Sequence, residues 1–159
     1  MKDYTVRIRF TQPSLGNAKE KTTGRFLFMR SSLGCIIFLP AWHKSNMLMA
    51  ATLLSIRPEL VRGISWDIEI DAKLTEKRWQ RVYYRNSTGR ERYSMHEAIM
   101  PGQTIGINCV LPLDLDDNVF SDLMSTAGRY KGLSPWKPGD YGHYEVVDLF
   151  PRKFVCNQT

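Results

Sequence analysis

The sequence predicts an α+β fold, in which a single antiparallel sheet carries two helices on one face and is extended by β-hairpin insertions. Once two hairpins are set aside, the predicted elements follow in the order strand, helix, strand, strand, helix, strand. The chain has 159 residues, 43% of them hydrophobic and 24% charged, which suits one globular domain with a sizeable core. We therefore expect a single domain over residues 1–151 and a C-terminal tail over residues 152–159.

The first half of the chain supplies one strand, one hairpin and one helix. Alternating polar and apolar residues from Tyr4 to Phe10 predict a half-buried strand. The segment from Gln12 to Arg25 contains proline and glycine and predicts an exposed loop. Residues 31–34 separate two apolar runs, as the turn of a hairpin does. Pro40 is suited to the first turn of a helix, which we expect to end before Pro58.

The second half supplies the remaining three strands and the second helix. Residues 64–71 alternate, and the apolar run 104–112 predicts a central strand. Aspartates at 114, 116 and 117 favour a helix start, and Gly128 is predicted to end that helix. Tyr144–Phe150 forms the last strand. This order is that of a ferredoxin-like sheet, whose second face is left uncovered.

Residues 77–92 concentrate positive charge on one predicted hairpin, whose turn lies at residues 86–89. Six basic residues and one acid give this segment a net charge of +5, against +6 for the whole chain. On a strand, side chains two apart share a face, so rings and guanidinium groups alternate along one side. That pattern favours single-stranded nucleic acid, although a solvated hairpin with arginines lying over its own rings is the alternative. The predicted binding residues here are Arg78, Trp79, Arg81, Tyr83, Arg85, Arg90 and Arg92.

A glycine- and proline-rich stretch connects the second predicted helix to the last strand. Glycines allow a backbone to approach a ligand closely and to present its N–H groups. An ordinary long connection, with Trp136 packed into the core, is the alternative. The glycines and prolines are Gly132, Pro135, Pro138, Gly139 and Gly142, and the predicted nucleic-acid contacts are Arg129, Tyr130, Lys131, Trp136, Lys137 and Tyr141.

About twenty residues around this stretch carry a resemblance to known proteins. The matching residues are Ala127, Gly128, Arg129, Tyr130, Gly132, Trp136, Pro138, Tyr141, Gly142, Tyr144, Glu145 and Val146. This arrangement of helix, glycine-rich turn and strand resembles the RAMP superfamily of CRISPR-associated RNA-binding proteins, and it is similar to small bacteriophage proteins of that general build. The resemblance implies a RAMP/RRM-like sheet and contacts with RNA or single-stranded DNA at Arg129, Tyr130, Lys131 and the turn through Gly142.

The sequence offers few groups for catalysis or metal binding. Processing endoribonucleases of the superfamily are larger and have a tighter run of glycines, which favours a non-catalytic role for this chain. His43, near the start of the first helix, is a candidate general base for metal-independent RNA cleavage, and a surface or capping role is its alternative. The aspartates lack the glycine and glutamate of a calcium loop, and no nucleotide-binding fingerprint is present. We expect no metal and no cofactor.

Three functional hypotheses follow from these patterns. The first is non-catalytic binding of single-stranded RNA or DNA in the cytoplasm, which is the host cytoplasm if the protein is phage-encoded. The second is a phage protein-interaction module that docks on or mimics a subunit of a host CRISPR-type defence complex, or that assembles with itself. The third is a small ribonuclease that uses His43. Cysteines at 35, 109 and 156 are odd in number and scattered, as in a reducing compartment, and we expect no membrane partner.

Overall fold

The structure is a computed structural model that describes residues 2–72, 74 and 76–152. Its helices and strands are named in chain order. The strands are β1 (Lys2–Phe10), β2 (Ser14–Leu15), β3 (Ala18–Lys19), β4 (Phe26–Leu27), β5 (Ser65–Trp66), β6 (Arg78–Arg85), β7 (Glu91–Ile99), β8 (Thr104–Leu111) and β9 (Tyr144–Pro151). The helices are α1 (Pro40–Leu53), α2 (Pro58–Arg62) and α3 (Asp117–Tyr130).

The central sheet has the strand order β5-β8-β1-β9 and is antiparallel throughout. Strand β1 pairs along its length with β8 on one side and with β9 on the other. Its alternate residues Val6 and Ile8 are fully buried, and they join Met47 of α1 and Phe120 of α3 in one hydrophobic cluster. Both long helices therefore cover the same face of the sheet. The predicted α+β, ferredoxin-like fold is confirmed.

A second sheet is built around β7. One edge of β7 pairs with β6 over eight residue pairs, which confirms the predicted hairpin and its turn. Its other edge pairs with β2 and, in parallel, with β4. Leu15, Val82 and Ala98 form a small buried cluster beneath this sheet, and Trp136 packs against them. The second sheet therefore extends the domain and is stabilised by a small hydrophobic cluster of its own.

The prediction of an exposed loop over residues 12–25 is wrong for its first part. Ser14 and Leu15 are fully buried, and Leu15 pairs with Ala98 of β7. Gly16 passes so close to the chain at Leu27 that an added Cβ would lie 2.4 Å from its carbonyl carbon. This segment is ordered because it satisfies hydrogen-bonding groups along the edge of β7, which would otherwise be left unpaired.

The strand predicted over residues 64–71 is shorter than its alternation indicates. Only Ser65–Trp66 pair regularly with β8. The chain then turns to residues 36–38, where the Phe38 N–H donates to Ile68 O and the Ile70 N–H donates to Ile36 O. It returns to β8 at a bridge between Asp71 and Gly106. This detour leaves Ile68 half exposed, at 49%.

The start of α3 agrees with the prediction and its end does not. The Asp116 carboxylate caps the helix by accepting from the N–H groups of Asn118 and Val119. Gly128 lies inside the helix, where an added Cβ would be 2.4 Å from the Tyr144 carbonyl oxygen. Gly128 is therefore needed for close packing, whereas Gly132 follows the helix with a φ of 81°.

Two further predictions concern the chain ends and membranes. Apart from Arg152, the predicted tail of residues 152–159 lies outside the described residues, as does Cys156. Cys109 is buried in the core, and Cys35 is half-buried. In the described part of the chain, no helix has the length and apolar character required to cross a bilayer.

Substitution of Gly142 by alanine should destabilise the protein much more than the same change at Gly89. Both glycines have nearly the same positive φ, 78° and 77°. An added Cβ at Gly142 would lie 2.3 Å from the Leu133 carbonyl oxygen, whereas nothing lies within 4 Å at Gly89. Urea denaturation should show a loss of about 1 kcal/mol for Gly89→Ala and about 3 kcal/mol or more for Gly142→Ala. Equal losses of unfolding free energy in the two variants would contradict the close approach of the chain at Gly142 to the chain at Leu133.

Candidate nucleic-acid interface

The register of the β6–β7 hairpin places rings and guanidinium groups on one face. The pairing of Tyr83 with Tyr93 and of Arg81 with Met95 brings these side chains to the same side of the ribbon. Trp79 and Arg85 lie two residues before Arg81 and two after Tyr83, so they share that side as the sequence indicates. We call this side the ring face of the hairpin.

The outer half of the ring face is open to solvent. Tyr83 is 61% exposed and Tyr93 is 54% exposed, and their ring centroids are 6.2 Å apart. The Arg81 guanidinium carbon lies 5.0 Å from the centroid of the Tyr93 ring. Two phenol rings and a cation are therefore available together, and Tyr84 adds a half-exposed ring on the opposite side.

Most of the hairpin arginines have no carboxylate partner within the described residues. Arg78 lies 3.6 Å from a Glu76 oxygen, in an exposed and weak ion pair. Arg85 donates a hydrogen bond to the carbonyl oxygen of Gly89, 3.2 Å away. Among residues 2–72, 74 and 76–152, no carboxylate lies within 4.0 Å of the guanidinium groups of Arg81, Arg85, Arg90 or Arg92. Within the described residues, these four charges are therefore not neutralised by an ion pair.

The inner half of the ring face is anchored to the body of the domain. Glu97 is 2% exposed and accepts two hydrogen bonds from Arg30, at 2.8 and 2.5 Å, and one from the Phe28 N–H at 3.0 Å. Burial alone would raise the pKa of Glu97, but these hydrogen bonds outweigh it and lower the pKa below its ordinary value. Arg25 lies 4.8 Å over the half-buried Trp79 ring. Trp79 therefore offers less stacking surface than the two tyrosines.

Arg25 and Arg30 are neighbours of the ring face that the sequence does not predict. They reach the hairpin because Phe26 of β4 pairs with His96 of β7. This bridge joins segments seventy residues apart and is a single residue pair, so no local pattern signals it.

The backbone of the glycine-rich stretch is largely engaged within the protein. The Leu133 N–H donates to Gly142 O at 2.9 Å, the Trp136 N–H to Leu15 O at 3.0 Å, and the Gly142 N–H to Pro13 O at 2.8 Å. The expectation that the stretch presents its N–H groups to a ligand is wrong for these three residues. Its glycines instead allow two chain segments to cross closely.

Trp136 and Tyr141 serve mainly to pack this stretch against the second sheet. The Trp136 ring centroid lies 5.2 Å from that of Phe26 and 4.5 Å from that of His96. Tyr141 packs against the same small cluster. Trp136 is therefore packed inside the protein, which was the alternative to a contact with nucleic acid. Tyr141 packs beside it, so neither ring lies on an open surface where a base could stack.

The other predicted residues of the stretch remain at the surface. Arg129 lies 5.5 Å over the ring of Tyr130, which is 60% exposed. Lys131 and Lys137 are exposed, and the Lys131 ammonium donates to the Ser45 hydroxyl. His143 lies near the end of the stretch, with Nδ1 2.9 Å from Arg129 O and Nε2 hydrogen-bonded to Asp140. These contacts hold the end of the stretch against the end of α3.

His43 lies in the core. It is 1% exposed, and its ring stacks on Trp66 with centroids 4.5 Å apart and planes 10° apart. Burial lowers its pKa to about 3. The neutral ring has no access to a strand in solution, which removes the group on which the ribonuclease hypothesis depended.

The uncovered face of the central sheet is less suited to a polyanion than the hairpin. Arg7 and Arg9 of β1 face Asp148 and Glu145 of β9 across the pairing, and the Arg9 guanidinium lies 2.9 Å from Glu145. Arg152 is likewise engaged, 3.1 Å from Asp67. The outward positions of the two central strands carry no aromatic residue; they are Asp3, Thr5, Arg7, Arg9, Thr104, Gly106, Asn108 and Val110.

Comparison with known proteins gives a likeness of fold. No protein-family model matches the sequence, and no curated protein is significantly similar to it. The fold is similar to that of a chain in the cryo-EM structure of the Type III-B Cmr-beta bound to cognate target RNA, with a TM-score of 0.71 and 11% sequence identity. The match covers 96% of this chain and 61% of that chain, so this protein spans about three fifths of its length. This likeness supports the ferredoxin-like fold that the sequence predicts.

The buried His43 should make the protein sensitive to acid. In the unfolded chain its pKa is about 6.5, whereas the folded pKa is about 3. Below about pH 6.5 the unfolded state binds a proton that the folded state excludes, so the free energy of unfolding should fall by up to about 1.4 kcal/mol per pH unit.

Urea denaturation between pH 6.5 and 4.5 separates the buried histidines from Glu97, because the contribution of Glu97 is lost only below about pH 4.5. The variant His43→Phe, which keeps an aromatic ring against Trp66, should lose most of the slope. Burial also lowers the pKa of His96, which accounts for the remainder. Identical slopes for the native protein and the variant would contradict the burial of a neutral His43.

Proposed function

We propose that this protein binds single-stranded nucleic acid without cleaving it, and that RNA is its natural ligand. The observation that carries the proposal is the exposure of Tyr83 and Tyr93 on the outer part of the hairpin. Beside them lie guanidinium groups that form no ion pair with a carboxylate of the described residues. RNA is favoured over DNA because the structure of similar fold is described as bound to cognate target RNA.

Single strands fit this surface better than duplexes. Each stacked base contributes roughly 1–3 kcal/mol, and stacking requires bases whose flat faces are uncovered. A duplex hides those faces and leaves only its phosphates and groove edges for contact. The exposed rings of the hairpin would add nothing to duplex binding, so the proposal includes a preference for single strands.

Surface groups at the end of α3 extend the proposed contact region. Arg129 and Tyr130 are exposed there, and the following stretch packs on the base of the hairpin through Trp136. Trp136 packs on the side of the hairpin opposite the ring face, so a strand that stacks on the ring face is proposed to pass around the hairpin to reach these residues. The resemblance to small bacteriophage proteins adds phage origin and a host cytoplasmic location to the proposal.

A protein partner is the second candidate function, favoured by the uncovered sheet face. This face forms an open groove of about 620 Å³ lined by Arg7, Arg9, Val147 and Phe150. Mixed charges beside apolar side chains suit a protein surface better than a phosphate backbone. A subunit of a host defence complex, or a second copy of this chain, would fit there.

Removing two hairpin charges should weaken RNA binding and its dependence on salt. We expect the double variant Arg81→Ala with Arg85→Ala to bind a single-stranded RNA at least tenfold more weakly at low salt. The slope of log affinity against log salt should become shallower by about 1.4, because each phosphate contact to a single strand contributes about 0.7. Titrations of a fluorescent oligonucleotide at several salt concentrations measure both quantities.

The variant Lys19→Ala with Lys21→Ala is the matched control, because it removes the same charge from two exposed positions, at the end of β3 and in the turn that follows. It should keep the native affinity and slope to within twofold. Equal behaviour of the two variants would show that net charge alone matters. Absence of RNA binding by the native protein, together with capture of a defined protein partner, would favour the second candidate.

Tyr83 should contribute through its ring and not through its hydroxyl. We expect Tyr83→Ala to lose about 1–3 kcal/mol of RNA binding free energy and Tyr83→Phe to lose almost none. The salt slope should be unchanged in both variants, because neither removes a charge. A loss of similar size in Tyr83→Phe would assign the contact to the hydroxyl and contradict base stacking.

A further inference from the structure

A third aromatic ring lies at the inner end of the ring face, and an arginine from another strand covers it. The guanidinium carbon of Arg25 lies 4.8 Å from the centroid of the half-buried Trp79 ring. Arg25 directly precedes Phe26 of β4, whose ring stacks on His96 with centroids 4.5 Å apart, on the opposite side of the sheet. Because neighbouring residues of a strand point to opposite sides, Arg25 reaches across β7 to Trp79 on the ring face.

The guanidinium group of Arg25 is held by this ring and by no carboxylate. Arg25 is exposed, and in the part of the chain that the structure describes no carboxylate lies within 4.0 Å of it. Its neighbour Arg30 differs, because it donates two hydrogen bonds to the buried Glu97, at 2.8 and 2.5 Å. Arg25 can therefore leave the Trp79 ring without breaking an ion pair and without stranding a buried charge.

A nucleic-acid base binds such a ring more strongly than an exposed cation does. The attraction of an exposed arginine for a ring shifts an equilibrium by roughly two- to fivefold. A base stacked on an aromatic side chain strengthens the binding of a single strand by roughly five- to 150-fold. A guanidinium that leaves the ring keeps its charge and can meet a phosphate, so the exchange also adds an electrostatic contact.

We propose that Trp79 and Arg25 form a further nucleotide subsite, which opens when a single strand binds. A base takes the place of the guanidinium group on the Trp79 ring, and Arg25 turns to a phosphate of the same strand. This subsite rests on the proposed binding of single-stranded nucleic acid. Trp79 lies four residues from Tyr83 along β6, about 13 Å at the usual rise of a strand, so a strand on the tyrosines reaches it by continuing along the ring face.

Acrylamide quenching of tryptophan fluorescence tests the cover in the protein without RNA. The chain has 4 tryptophans, and subtracting the emission of Trp79→Phe isolates the signal of Trp79. In Arg25→Ser the quenching constant of Trp79 should rise about twofold, because one of the two faces of the ring loses its cover. Lys21→Ser removes the same charge from an exposed turn and should leave the constant unchanged. An equal constant in the native protein and in Arg25→Ser would overturn the proposal.

A second arm adds an unstructured RNA of uridine, about ten nucleotides long, since 13 Å corresponds to about four nucleotides at the spacing of a duplex strand. Its binding should quench the emission of Trp79, and Trp79→Leu should bind it about tenfold more weakly with an unchanged salt slope. In Arg25→Ser the slope of log affinity against log salt should become shallower by about 0.7, whereas Lys21→Ser should keep the native slope. An arginine that only packs on the ring would leave this slope unchanged.

The subsite and the proposed function fail in different ways. RNA binding that depends on Tyr83 but leaves the emission of Trp79 unchanged would overturn the subsite and keep the proposed function. A native salt slope in Arg25→Ser would also overturn the subsite, because Arg25 would then meet no phosphate. Absence of RNA binding by the native protein would overturn both. The emission of Trp79 is read in the native protein, so the test does not depend on the folding of Trp79→Leu.

Discussion

Strand β7 runs from the buried body of the domain into solvent, and its two hydrogen-bonded edges determine where the other groups of the site lie. One edge carries β6 and thereby fixes Tyr83 opposite Tyr93. The other edge carries β2 and β4, which bring Arg25 and Arg30 to the base of the hairpin. The buried Glu97 then ties β7 to Arg30, so a rigid base supports an exposed tip. Because a rigid strand holds its side chains in register, the rings and charges need little ordering when a ligand arrives.

The division of charge between the two sheets gives the molecule distinct surfaces. Residues 77–92 carry a net charge of +5, which is nearly the whole excess of the chain. On the uncovered face of the central sheet, Arg9 forms an ion pair with Glu145, and Arg7 lies opposite Asp148 in the strand pairing. Under the proposed function, the hairpin attracts the polyanion, and the sheet face is left for other contacts. This differs from a sheet-face RNA-binding domain, whose stacking rings lie on the two central strands.

The sequence was informative wherever a pattern is local. Alternation located β1, the turn at residues 86–89 located the hairpin, and aspartate at position 116 located the start of α3. The pairing of Leu15 with β7 was missed because Pro13 and Gly16 resemble loop residues, and the burial of Ser14 and Leu15 depends on a strand about eighty residues later. His43 and Asn46 face the core because the helix register is set by Met47 and Ala50, which local polarity does not reveal. The roles of Gly128 and Gly142 depend on contacts with Tyr144 and Leu133, so they too required the structure.

The central claim is that a single strand lies on the outer ring face of the hairpin. The most direct measurement follows the ring resonances of the tyrosines and the backbone amide resonances of the whole chain by NMR while an unstructured RNA oligonucleotide is added. The account predicts that Tyr83 and Tyr93 shift first and most strongly, with the buried Tyr4 and Tyr144 unchanged. Shifts confined to residues of the uncovered sheet face, such as Thr5 and Asn108, with Tyr83 and Tyr93 unmoved, would contradict it.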